Sequence, residues 1–194
     1  MKFLTMSLSC LLVLGCASKP KVVQQEISDE DLKTFEVGMK ALDEENYSEA
    51  AKIFDKLLKD KPATEIDLIT IYNSGAAYEG MGQCRKAADR YRQVVRGSVK
   101  KFKRLEVEAL YRLSYAYECL GEDQKVVAAL LDVHRRSATM NPAVAKAEVP
   151  ARLAAAYARL DNQEQAKAYF NIADKGLLEL RSEIQTARQA KISL

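Results

Sequence analysis

The chain has 194 residues, 48% hydrophobic and 29% charged, which excludes a disordered tail and a membrane-embedded protein and leaves room for one domain or one small array. Lys and Arg number 30 against 27 Asp and Glu, a net charge of +3, too near balance to demand a nucleic-acid partner. Eight Gly and four Pro are too few for an all-β fold, which needs a turn every 8 to 12 residues or so, and the chain reads as mostly helical.

Met1-Lys2 supplies a short positive start, and Phe3 to Leu14 is an apolar run broken only by Thr5, Ser7, Ser9 and Cys10. The run is far shorter than the roughly 20 residues that span a bilayer. Its ending, Val13-Leu14-Gly15-Cys16, resembles the lipobox of bacterial lipoprotein signal peptides, with Leu14 in place of the usual small residue. The resemblance implies a signal peptide over 1–15, cleavage before Cys16 and lipid attachment at that thiol; an ordinary secretory signal or a membrane-buried N-terminus is the alternative. Two or three acyl chains would anchor the protein where one binds only reversibly. Ala17, not Asp, follows the cysteine, which by the same resemblance implies the periplasmic face of the outer membrane. Residues 16–28, with Lys19, Pro20, Lys21 and two Gln, read as a flexible tether.

From Ser28 onward the apolar residues recur at three and four. Helices are expected at about 29–44, 48–60, 65–81, 84–97, 103–120, 123–137, 143–160 and 163–190, opening on Ser28 as an N-cap with Asp29, Glu30 and Asp31 in the first turn. Asn141-Pro142 opens the seventh, and Pro150 inside it predicts a kink or a restart. Four stacked patterns also emerge: Gly38, Tyr47, Ala50, Phe54; Gly75, Gly82, Ala87, Tyr91; Ser114, Gly121, Val126, Leu130; and Ala154, Asp161, Ala166, Phe170. The small residues 38, 75, 114 and 154 lie 37, 39 and 40 apart.

These patterns resemble tetratricopeptide repeats (TPR), in which small and large residues alternate on two antiparallel helices. The resemblance implies an all-α, right-handed α-solenoid of about four helix-turn-helix repeats over 29–194. Gly82 and Gly121 would reverse the chain in the left-handed conformation, Phe54, Tyr91 and Phe170 would fill space between repeats, and Val126 would loosen the third. A long last helix would cap the array, with Leu177, Leu178, Leu180 and Ile184 covering its apolar edge.

Carried over from the family, the first helix of each repeat lines a concave groove. The protein-binding residues so expected are Phe35, Met39, Tyr72, Asn73, Tyr111, Arg112, Tyr115 and Arg152, a mixture of aromatic anchors and cations suited to protein segments. Phe35, Met39 and Glu108 stand where the carboxylate-clamp subclass has polar or basic residues, which argues against that clamp.

Cys84 and Cys119 fall where antiparallel neighbours can bring them together. An oxidising compartment would permit a disulfide there, and two small buried hydrophobes are the alternative. Nine basic residues between Arg85 and Arg104 face one acid, Asp89, a solvated face or a surface for lipid headgroups, peptidoglycan or an acidic partner. Neither a nucleophile–base constellation nor metal-ligand spacing is visible, and His134 stands alone, so no enzyme, cofactor, metal or nucleic-acid partner is expected. The chain thus reads as a lipid-anchored scaffold that binds protein partners and assists a cell-envelope complex, in the manner of pilotins, barrel-assembly lipoproteins or motility-complex components. A cell-wall accessory factor is the alternative.

Overall fold

Four times the chain reverses with the same backbone move. Glu45, Gly82, Gly121 and Asp161 all have φ between 57° and 68°. After each, the next amide reaches back five residues: Asn46 to the Ala41 carbonyl, Gln83 to Tyr78, Glu122 to Tyr117 and Asn162 to Tyr157, at 2.8–2.9 Å. This is the Schellman closure, which satisfies carbonyls that a helix end leaves free. The glycines at 82 and 121 adopt it without strain; Glu45 and Asp161 do so as L-residues.

The computed structural model describes residues 28–58, 65–98 and 102–192. Its helices are α1 (Asp29–Asp43), α2 (Tyr47–Leu57), α3 (Glu65–Gly80), α4 (Cys84–Gly97), α5 (Lys103–Cys119), α6 (Asp123–Arg135), α7 (Val149–Arg159) and α8 (Gln163–Ile192), with a 3-10 turn at Ser137–Thr139 and a π-helical turn at Val144–Glu148. Ser28 caps α1, its Oγ accepting from the Asp31 amide at 3.1 Å, with three acids in the first turn as the helix dipole favours. The proposed signal segment, Cys16 and nearly all of the tether lie outside the described residues.

Successive helices pack pairwise along the chain. Phe54 and Tyr91 are fully buried because small residues stand above them: a Cβ on Gly38 would lie 2.7 Å from the Phe54 ring, and one on Gly75 would lie 2.8 Å from Tyr91. Burying each ring contributes about 1.5–3 kcal/mol. Leu130, Val133, Val149 and Leu153 extend the core around Tyr91 through the third and fourth repeats, while Phe54 sits in a separate cluster with Ala41, Ala50 and Ala77. Val126 is also fully buried, so the larger side chain is accommodated rather than loosening the third repeat. A disulfide joins Cys84 at the start of α4 to Cys119 at the end of α5, with Cα atoms 6.1 Å apart.

Pro150 has no amide to offer the carbonyl four residues back, that of Lys146, and its ring crowds that carbonyl. The chain answers with the wider π turn at Val144–Glu148 before α7 resumes. There α8 presses close: Gly176 is buried, and a Cβ on it would stand 2.0 Å from the Lys146 carbonyl oxygen. Lys146 Nζ pairs with Glu179 at 3.5 Å and Glu183 at 2.8 Å. The rest of α8 departs from the expected cap. Leu177 (57% exposed), Leu178 (58%) and Ile184 (54%) face solvent, as does Phe170 (64%). None of the described elements covers them.

Candidate functional site

The first helices of the repeats form one layer. α3 touches both α1 and α5, and Arg152 of α7 reaches Glu118 and the Tyr115 ring of α5. These side chains make the face of α1, α3, α5 and α7 the candidate inner face.

Two polar clusters occupy this inner face. In the first, Glu79 of α3 accepts from the Tyr91 hydroxyl at 2.6 Å and from Arg112 of α5 at 3.2 Å. Tyr72 packs against Tyr91 with ring centroids 5.6 Å apart. Burial raises the Tyr72 pKa above its usual 10, opposed by Arg112, so Tyr72 stays a neutral hydroxyl. Tyr91 is pushed higher still, by burial first and then by the Glu79 charge.

The second cluster joins α5 to α7. The hydroxyls of Tyr111 and Tyr115 both donate to Glu148 Oε1 and stand 2.9 Å from each other, with their rings edge-to-face at 5.2 Å. Arg152, one turn beyond Glu148, lays its guanidinium 3.5 Å from the centroid of the Tyr115 ring, a cation–π contact, and donates to Glu118 at 2.7 Å. Arg159 reaches the same carboxylate at 3.0 Å and Asp123 at 2.6 Å. Burial alone would raise the Glu148 carboxyl, but the two tyrosine hydroxyls together with Arg152 and Arg112 hold it below its usual 4.5. Tyr111 is raised well above 10, chiefly by burial and next by its bond to Glu148. The tyrosines are therefore proton-bearing donors at neutral pH, with hydroxyls committed inside the protein.

The eight expected groove residues divide accordingly. Tyr72, Tyr111, Arg112, Tyr115 and Arg152 come together in the two clusters. Phe35, half-buried, tilts against Phe54 at 5.8 Å, and Met39 packs on the same core. Asn73 is 8% exposed, buried rather than lining the surface. The Arg152 side chain is only 12% exposed, and its Nη1 is buried without a hydrogen-bond partner. Among the described residues no group of His, Cys, Asp or Glu is arranged to hold a metal ion, and no helix is long and apolar enough to cross a membrane.

Solved structures share this architecture. MamA aligns with a TM-score of 0.64 at 16% identity, covering 78% of this chain and 81% of that one; MamA from Desulfovibrio magneticus gives 0.63 at 21%, covering 78% and 76%. The TPR-like repeats of a kinesin light chain from Podosopora anserina give 0.65 at 17%, covering 82% and 81%. The chain folds as a TPR-like solenoid. No family model and no curated protein matches the sequence, and identities this low speak to the fold alone.

Two residues of the solenoid's inner face escape a sequence reading. Glu79 lies seven residues after Tyr72 and so on the same helix face, and extending the lining of α3 by one turn reaches it. Glu148 precedes Arg152 by four, but Pro150 between them interrupts the helical register.

Proposed function

We propose that the protein is a scaffold that holds a segment of another protein along the inner face of α1, α3, α5 and α7, tethered to the bacterial envelope through lipid on Cys16. The inner face carries this reading. Its aromatic rings and the exposed guanidinium of Arg112 stand on a prebuilt framework of internal hydrogen bonds, so a ligand would meet a rigid surface and little ordering cost. Arg, Tyr and apolar side chains in such a patch favour protein segments. The apolar run and Gly15-Cys16 support export and lipidation, and with them a role in assembling or tethering an envelope complex on the periplasmic face of the outer membrane.

The experiment is crosslinked affinity capture from envelopes, comparing the native protein with Ala155→Trp. Ala155 is exposed on α7, three residues after Arg152, and makes no internal bond that the change would break. Loss of the captured partner is expected; equal capture by both proteins would remove the inner face as the binding surface. Cys16→Ser should release the protein from the membrane fraction, and retention there would refute the anchor. One observation favours the cell-wall reading. Arg85, Arg96, Lys103 and Arg104 are exposed and have no ion-pair partner among the described residues. Co-sedimentation with purified sacculi, abolished by reversing these four charges, is its expected signature.

A further inference from the structure

One face of α8 is an unfilled slot among the described residues. In the first three repeats the face of α2, α4 and α6 that looks down the array is covered by the antiparallel helix that opens the next repeat, α3, α5 or α7. None of the described elements covers α8 in that way. The equivalent face of α8 runs through Phe170, Asp174, Leu177, Leu178 and Arg181 on to Ile184, at helical spacings of three and four. With Ala143 beside the π turn, the later part of this face lines a cleft of about 720 Å³.

Each earlier slot receives an antiparallel helix, and a two-fold axis perpendicular to α8 would supply one. We propose that α8 pairs antiparallel with α8 of a second copy of this chain. The stripe is self-complementary in one register. With Leu177 opposite Leu178 of the second copy, Leu178 meets Leu177 in turn, and Asp174 falls opposite Arg181 on both sides of the axis. Shifting the pairing by seven, so that Asp174 meets Arg188, sets Arg181 against its own copy at the centre. Like charges there oppose that alternative. Asp174 and Arg181 have no partner within the chain among the described residues, so both are free to pair across the axis. A two-fold interface of this kind is closed and gives dimers rather than filaments. At 30 residues, α8 is about 45 Å long, enough to pair while its first half stays packed on α7.

The test is sedimentation velocity of the purified full chain in mild detergent from about 1 to 100 µM, the range in which a modest interface declares itself. A dimer is expected. Asp174→Arg and Arg181→Asp should each weaken it at least about tenfold, since each change sets like charges opposite one another twice. An equimolar mixture of these two variants should restore dimers to within about threefold of the native constant, because each mismatched site is then matched in the heterodimer. Far-UV circular dichroism checks that each variant is folded. Leu177→Glu, at an exposed site, should abolish pairing. The proposal is overturned if the native chain is monomeric throughout, if Leu177→Glu still dimerises, or if the mixture stays monomeric.

Discussion

Gly176→Ala is a sharp test of how α8 is seated. In an isolated helix this change would stabilise by roughly 1 kcal/mol, because alanine gives up less backbone freedom than glycine. Here the added methyl would stand 2.0 Å from the Lys146 carbonyl oxygen, whereas carbon and carbonyl oxygen rest at about 3.3 Å or more. The neighbour is backbone, fixed by the π turn and Pro150, so α8 must withdraw by more than about 1 Å. Overpacking of this kind costs about 1–3 kcal/mol, and withdrawal also stretches the Lys146 pairs with Glu179 and Glu183. A net loss of about 1–2 kcal/mol is expected, a fall in Tm of about 2–8 °C for a chain of this size. Thermal and urea unfolding followed by circular dichroism measure it. Gly97→Ala is the control: its methyl would meet only the flexible end of Leu68, at 2.4 Å, and should cost less. If Gly176→Ala proves as stable as the native chain, the close seating of α8 on the π turn is wrong.

Glu148 is held below its usual pKa, so its contribution to stability is complete above about pH 4.5, the unfolded value, and is lost as pH falls through its lower folded value. Unfolding measured from about pH 6 to 3 should therefore show a smaller acid-side loss for Glu148→Gln than for the native chain, and identical slopes would contradict the assignment. Tyr115→Phe removes one hydroxyl donor to that carboxylate and should cost about 1.5 kcal/mol, the lower end for a charge-assisted bond, because the site is half-exposed; chemical denaturation reads it directly. Reducing the Cys84–Cys119 disulfide, which spans a sequence separation of 35, should cost about 3–4 kcal/mol on chain-entropy grounds. A Tm unmoved by dithiothreitol would argue against that bond.

The repeat was legible because packing imposes it at fixed places. The small residues 38, 75, 114 and 154 recur at the same intervals as the left-handed residues 45, 82, 121 and 161, so spacing alone located helices and turns. The tail of α8 was not legible. Leu177, Leu178 and Ile184 carry the pattern of a buried stripe, and only the structure shows that none of the described elements covers them. The site was half visible for a related reason. The resemblance to the repeat family puts Tyr72, Tyr111 and Tyr115 on the inner side, but it is silent about the carboxylates that claim hydroxyls from neighbouring helices. Asn73 was misplaced because one residue of rotation, about 100°, carries a side chain from the lining into the core.

The bond between Cys84 and Cys119 has a mechanical consequence. A solenoid behaves as a spring whose units flex against their nearest neighbours, and this crosslink stiffens the joint between the second and third units. Under oxidising conditions bending is confined to the joints on either side, so a bulky guest would have to be admitted by movement of the outer units while the middle keeps its curvature.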